Sequence, residues 1–171
     1  MELRTTPIAP RSGITPASWK PSVTPGFTAF RGRSAPAPGL PVRVYRNLNR
    51  PGLYSIVALS GASKGKVVGY APAVALKAIR FKVSEKTRQT VLAKQERSIH
   101  AYAEGTFVTT AFDLPDHLEA NESNTITYRP YESGHFHHRS APATPVWRSD
   151  FAWAWGAGLV EDSANGGEGE A

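Results

Sequence analysis

The chain has 171 residues, a formal net charge of +6 and no cysteine. The length predicts one domain with tails, and the lack of cysteine excludes disulfide bonds, thiolate metal sites and a cysteine nucleophile. The sequence contains no run of about 18 apolar residues, so no transmembrane helix is expected, and its first residues lack the apolar segment of a secretory signal.

Residues 1–41 hold eight of the 14 prolines. Because proline fixes the backbone angle φ and removes a hydrogen-bond donor, we predict a basic, largely disordered arm here. Aromatic and basic residues are interleaved along it, and two roles are open: they stack on bases or grip a partner's groove, or they pack the arm against its own domain. These residues are Trp19, Lys20, Phe27, Phe30, Arg31 and Arg33.

A single α+β domain is predicted from residue 42 to residue 160. Its first half has short segments with the alternation or the composition of strands, and the loop 61–65 has glycine at both ends, as a hairpin connection needs. One segment places Ile79 and Phe81 on one face and Arg80 and Lys82 on the other, which predicts a half-buried strand with a basic outer face. The predicted strands are 42–48, 53–60, 66–70 and 79–83, with a short resumption at 73–76 after Pro72.

A helix is predicted after these strands. Ser84 is a suitable N-cap and Glu85 is favourable in the first turn. The helix is expected to extend to Arg97, with a narrow apolar stripe at Val91 and Leu92. We expect it to lie on the sheet with its basic side towards solvent.

Strand signals resume at residues 98–108 and 125–129, separated by an acidic, turn-rich segment at 113–124. Gly105 is expected to introduce a bulge, and Pro130 to end the second strand. Residues 134–145 look loop-like, with a possible short strand at Phe136. In the strand 98–108, the predicted faces are Ile99, Ala101 and Ala103 on one side, and His100, Tyr102 and Glu104 on the other.

Three aromatic residues, Phe151, Trp153 and Trp155, share a face if their segment is a strand. Such a stripe belongs to a core or, if exposed, forms a stacking platform or a partner interface. Residues 161–171 are acidic and glycine-rich and predict a disordered tail. The predicted fold class is therefore α+β: a small, strongly bent antiparallel sheet or partial barrel with one packed helix, between a Pro-rich arm and an acidic tail.

The charge is uneven along the chain: residues 42–111 carry net +9, whereas 112–160 carry −3 and 161–171 carry −4. A basic middle favours a polyanionic partner, nucleic acid first; the alternative is a solvated surface without a partner. We predict salt-sensitive, weakly sequence-specific binding of DNA or RNA. The predicted phosphate-contacting residues are Arg43, Lys64, Lys66, Arg80, Lys82, Lys86, Lys94 and Arg97.

Two groups of residues raise the question of catalysis or metal binding. His100, with Tyr102 and Glu104, has the composition of an acid–base cluster, but no activated nucleophile accompanies it, so a structural, hydrogen-bonded imidazole is favoured. His135 and His137 have a spacing that suits a shared metal, yet no closed ligand set is visible, and an exposed polar loop is favoured. The segment 60–66 lacks the spacing of a phosphate-binding loop, which favours a hairpin turn with two exposed lysines.

Several short motifs resemble one family. They are "KVVGYA", a basic helix with Arg88 and Val91, "IHAYAEG" and "ITYRPY", followed by Phe136 and by Pro145-Val146. This order is similar to small proteins of unknown function encoded by bacteriophages and other bacterial mobile elements. The resemblance covers about residues 42–160, and Arg129 departs from the Tyr-Asn-Pro-Tyr pattern of the family.

The resemblance implies an accessory protein in the cytoplasm of a bacterial host cell and implies no activity. It gives more weight to His100, Gly105, Tyr128 and Tyr131 as framework or site residues. We therefore predict a non-enzymatic accessory protein that binds nucleic acid, with no catalytic residue, metal or cofactor assigned. Two alternatives remain: an effector that binds a host or virion protein, with the Pro-rich arm as one contact, and a small metal-dependent nuclease or hydrolase. The oligomeric state is left open.

Overall fold

The computed structural model describes residues 29–30 and 36–164. Ten strands form one sheet in which every neighbouring pair is antiparallel, and one helix connects two of them. The elements in chain order are β1 (Ala29–Phe30), β2 (Pro41–Arg46), β3 (Tyr54–Ala58), β4 (Val67–Ala71), β5 (Ala73–Val83), α1 (Glu85–Lys94), β6 (Ala101–Ala111), β7 (Thr125–Tyr128), β8 (Phe136–His138), β9 (Arg148–Trp155) and β10 (Gly158–Glu161).

The spatial order of the strands is β8-β7-β10-β9-β5-β6-β2-β3-β4-β1. The predicted arm is described only at β1, which pairs with β4, and at residues 36–41; the predictions for 1–28, 31–35 and the tail residues 165–171 lie outside the described residues. No helix in the described part of the chain is long and apolar enough to cross a membrane.

The sheet is strongly curved, and its inner face encloses the main core. The hydroxyl of Tyr54 on β3 lies 3.0 Å from the carbonyl oxygen of Gly156 and 3.1 Å from that of Gly158, although four strands separate β3 from β10 within the sheet. The edge strands β8 and β1 are not paired with each other in the described structure, so the sheet is bent but is not closed into a barrel. The mostly antiparallel, sheet-rich fold with one helix agrees with the predicted class.

The two segments predicted separately at 73–76 and 79–83 form one long strand, β5. A bulge joins them: Lys77 pairs with Thr106 and Arg80 with Glu104, so β5 has one more residue than β6 in this interval. The extra residue lies on β5, where Ala78 has a φ of 53°, and not at Gly105 as predicted. Gly105 faces the bulge, and a Cβ atom there would lie 2.9 Å from the Lys77 carbonyl oxygen, which explains the glycine.

The helix begins as predicted and ends earlier. The Ser84 hydroxyl accepts a hydrogen bond from the Thr87 N–H, and Val91 is the buried residue of α1. The helix ends at Lys94 because Gln95 adopts a left-handed conformation, φ 57°, in which its N–H still donates to the Val91 carbonyl. The predicted extension to Arg97 is wrong.

The aromatic stripe of β9 lies on the outer face of the sheet. Trp153 is buried there against Ala73 and Ala75, with half-buried Phe151 and Trp155 beside it. Leu114 and Leu118, from the acidic, turn-rich segment 113–124, pack over this second core. The three aromatic residues therefore share a face and form a core, which confirms the first of the two interpretations of this stripe.

Candidate functional site

The outer face of the central strands carries a group of cations, here called the basic face: Arg43, Lys77, Arg80, Lys82 and Arg148. Strand alternation places them there, because their neighbours along each strand, such as Val42, Ile79 and Phe81, are buried in the inner core. The pairing register then puts four charged residues in one row across β2, β6, β5 and β9: Arg43, Glu104, Arg80 and Arg148. At about 4.8 Å per strand, this row spans about 14 Å.

The Glu104 carboxylate neutralises part of this face. Glu104 accepts hydrogen bonds from Arg43 at 2.8 and 3.0 Å, and the Lys82 Nζ lies 3.1 Å from its second oxygen. Partial burial by itself would raise the pKa of Glu104, but the hydrogen bonds and charges of Arg43 and Lys82 outweigh it and lower the pKa. The Arg43 guanidinium also lies over the Tyr102 ring, 4.2 Å from its centroid. Two of the eight predicted phosphate contacts are therefore internally paired.

On the side of Glu104 towards β5 and β9, two arginines have no such carboxylate partner among the described residues. Arg80 and Arg148 lie directly opposite each other on β5 and β9, both are exposed, and no ion pair joins either of them to a described residue. Like charges at opposed positions of neighbouring strands repel each other. This part of the basic face therefore carries positive charge that no described carboxylate neutralises.

The remaining predicted contacts lie on other elements. Lys64 and Lys66 are exposed on the β3–β4 hairpin, where Gly61 and Gly65 have positive φ values and the Gly65 N–H donates to the Ala58 carbonyl. This geometry is a hairpin turn, as favoured from the sequence. Lys86 and Lys94 are exposed on α1, and Arg97 donates to the carbonyl oxygen of Leu48.

Two cations of the basic face, Lys77 and Arg148, were missed from the sequence. Lys77 falls next to the bulge, where the alternation of β5 breaks, so its face was not predictable without the pairing register. Arg148 is an odd number of residues from Phe151, Trp153 and Trp155, so simple alternation along β9 would have placed it on the inner face, and only its pairing with Arg80 shows that it lies on the outer face.

The inner face of the curved sheet contains a pocket of about 190 Å³, here called the inner pocket. Its walls are mainly apolar and include Leu48, Pro130, Phe136 and Leu159. His100, placed just before β6, closes one side of it and is only 6% exposed. This pocket brings together residues that are far apart in the sequence.

Both ring nitrogens of His100 have hydrogen-bond partners. Nδ1 lies 2.9 Å from the carbonyl oxygen of Ser98, and a carbonyl can only accept, so Nδ1 carries the hydrogen. Nε2 lies 2.8 Å from the Tyr128 hydroxyl and in this tautomer accepts from it. Both nitrogens of His100 are therefore hydrogen-bonded, as the structural interpretation predicts. The cluster of His100 with Tyr102 and Glu104 does not form, since His100 bonds Tyr128 whereas Glu104 bonds Arg43 and Lys82.

Tyr128 connects His100 to a run of stacked rings. Its ring centroid lies 5.3 Å from that of Phe136, which in turn lies 4.9 Å from that of Phe81. Burial raises the pKa of Tyr128 to about 12, an increase that the nearby Arg88 guanidinium partly offsets. Arg88 also donates to the Pro130 carbonyl and to Glu85, so it ties the β7–β8 turn to α1.

The histidines at 135, 137 and 138 do not join this pocket. His135 and His137 stack edge to face with centroids 5.8 Å apart, and His137 is buried on the outer side of β8. His138 instead bonds the Glu161 carboxylate at 2.7 Å. Within residues 29–30 and 36–164, no group of three histidine, aspartate or glutamate side chains is placed to hold a metal ion. The expectation of an exposed polar loop at residues 135–138 is wrong, because residues 136–138 form β8 and His137 is buried.

A family model described as the Mycobacterium phage L5 gene 82 protein matches residues 36–153, about two thirds of the chain. The match contains the whole basic face and the greater part of the inner pocket. Comparison with curated proteins found no match, and comparison with solved structures found none either.

Proposed function

Since the chain belongs to the Mycobacterium phage L5 gene 82 protein family, we propose that it is a phage accessory protein that binds nucleic acid through the basic face. The family membership confirms the resemblance to small phage proteins that the motifs indicated. The charge distribution of the basic face supports nucleic acid as the partner.

The opposed pair Arg80 and Arg148 is the observation that carries the proposal. Two exposed guanidinium groups on neighbouring strands repel each other unless an anion lies between them, and arginine binds phosphate oxygens in a bidentate manner. Lys77 continues the same face along β5. A sugar–phosphate backbone supplies anions at regular spacing and so compensates several of these charges together.

The predicted mode is contact with phosphates and not with base edges. The basic face is the outer surface of a curved sheet and presents no helix or ribbon that would enter a major groove. Binding should therefore be strongly salt-dependent and weakly dependent on sequence. Trp147, which precedes Arg148 and is 56% exposed, is available to stack on an unpaired base.

The test is a fluorescence-anisotropy titration of the double variant Arg80→Ala/Arg148→Ala with single- and double-stranded oligonucleotides at several salt concentrations. The matched control is Arg50→Ala/Arg129→Ala, which removes two exposed arginines from loops outside the basic face. The slope of log K against log salt should become less negative by about two units in the first variant and should remain near the wild-type value in the control. Equal losses in both variants would show only a general charge effect and would contradict the proposal.

A substitution that should strengthen binding provides a second test. Glu104→Gln removes the carboxylate that pairs with Arg43 and Lys82 and frees both cations for phosphate. Affinity should therefore rise and the salt slope should steepen, by up to two units. If Glu104→Gln weakens binding or leaves it unchanged, phosphates do not contact this face.

A further inference from the structure

The inner pocket has the size of one ring. Its volume is about 190 Å³, whereas apolar cavities of about 150 Å³ hold a single benzene molecule and pockets for drug-sized ligands begin at about 300 Å³. A whole cofactor would not fit, but one planar ring of pyrimidine size would.

The walls offer apolar surface and, at Tyr128, a hydroxyl group. Phe136 and Leu159 supply apolar surface, and the Tyr128 ring, stacked on Phe136, borders the same space. The Tyr128 hydroxyl donates its hydrogen to His100. Its oxygen also interacts with the Arg88 guanidinium, and because a hydroxyl has two lone pairs, it can accept one further hydrogen bond. A planar heterocycle with an N–H or amino group on its edge matches this combination.

The entrance is positively charged. Arg46 is exposed and borders the inner pocket, and with Arg97 it also lines an adjoining cavity of about 210 Å³. Leu48 borders both cavities, and its carbonyl oxygen accepts from Arg97 at 2.8 Å. Neither arginine is ion-paired with a described residue. A ligand with a planar ring and a negatively charged group a few bonds away from it therefore complements this site.

We propose that the inner pocket receives one pyrimidine-sized base of a single-stranded nucleic acid, with the adjoining phosphate held between Arg46 and Arg97. Bases of single strands are free to leave the stack and insert between aromatic and apolar side chains. This inference rests on the proposed nucleic-acid function and adds to it a base-binding site on the opposite face of the sheet.

The first test compares labelled dT10 and dA10 by fluorescence anisotropy at low salt. The wild-type protein should bind dT10 about tenfold more tightly, because the pocket is smaller than a purine requires. Ser98→Trp, at an exposed position that lines the pocket, should block the entrance and abolish the preference. Ala93→Trp, at an exposed position on α1 outside the pocket, is the control and should retain it.

A second measurement uses the wild-type protein, so that a folding defect of a variant cannot cause the result. In histidine-selective NMR spectra of the full-length wild-type protein, dT10 should shift the ring resonances of His100 and leave those of His117, which is exposed and bonded to Asp162, near their free values. If Trp19→Ala shifts the His100 resonances without any oligonucleotide, the occupant is the chain's own arm and the inference is overturned.

The outcomes separate the two proposals. If dT10 and dA10 bind equally, Ser98→Trp changes nothing and Arg80→Ala/Arg148→Ala weakens binding, the basic face stands and the base-binding pocket is overturned. If no oligonucleotide binds even at low salt, both proposals are overturned. Loss of the dT10 preference in Ser98→Trp alone supports the pocket.

Discussion

The hydrogen bond between Tyr128 and His100 gives a quantitative prediction. Tyr128→Phe removes the hydroxyl that lies 2.8 Å from Nε2 and keeps the ring that stacks on Phe136. His100 is only 6% exposed, so its Nε2 loses its protein partner. An unsatisfied buried polar group costs about 1–3 kcal/mol. Because the pocket is open enough for a water molecule to enter, we expect the lower part of this range, about 1–2 kcal/mol.

The assay is urea unfolding followed by tryptophan fluorescence. With a slope of about 2 kcal/mol per molar urea, in the middle of the usual range, the unfolding midpoint should fall by about 0.5–1 M without a change in slope. Tyr131→Phe is the matched control, since Tyr131 is 62% exposed in the neighbouring turn and should change stability by less than about 0.5 kcal/mol. Equal effects of the two substitutions, or an NMR spectrum with the His100 hydrogen on Nε2, would refute the assigned hydrogen bond.

Two further predictions concern the sheet. Gly158→Ala places a Cβ atom against the Ile126 carbonyl oxygen, and this overpacking should lower the free energy of unfolding by about 2–3 kcal/mol. The control is Gly65→Ala, at a positive φ in open space, which should lower it by only about 1 kcal/mol. Equal losses in urea unfolding would contradict the predicted clash. The pKa of Glu104 is lowered in the fold, so its ion pairs stabilise the protein fully above the ordinary glutamate pKa of about 4.3 and are lost as the pH falls through the lowered value. The difference in free energy of unfolding between wild type and Glu104→Gln should therefore be about 1 kcal/mol at pH 7 and should shrink below about pH 4; a difference that does not depend on pH would show that charge is not its source.

Local chemistry made several elements predictable. The alternation of Ile79 and Phe81 with Arg80 and Lys82 indicated both the strand and its basic outer face, because side chains in a strand point to opposite sides in turn. Ser84 marked the start of α1 for a reason that is equally local, since its hydroxyl caps the N–H of Thr87. These features depend on neighbours along the chain and not on the tertiary fold.

The predictions that failed concerned features that local sequence patterns do not show. The bulge was assigned to Gly105, but the extra residue is Ala78 on the partner strand, and only the pairing register shows which strand carries it. The predicted extension of α1 to Arg97 failed because Gln95 takes a left-handed conformation, for which the sequence offers no glycine as a signal. The strand β10 was not recognised as separate from β9 because the turn at Gly156 lies within one continuous apolar segment.

The sequence by itself determined the class of the fold, the phage family and the basic middle of the chain, because composition, alternation and short motifs are properties of neighbouring residues. Only the tertiary structure decided which charges meet. It paired Arg43 and Lys82 with Glu104, left Arg80 facing Arg148, and turned His100 away from Glu104 towards Tyr128. The physical reason is that strand order and curvature bring together residues up to about 100 positions apart, as the contact of Tyr54 with Gly156 shows, and the periodicity of a single strand carries no information about its neighbours.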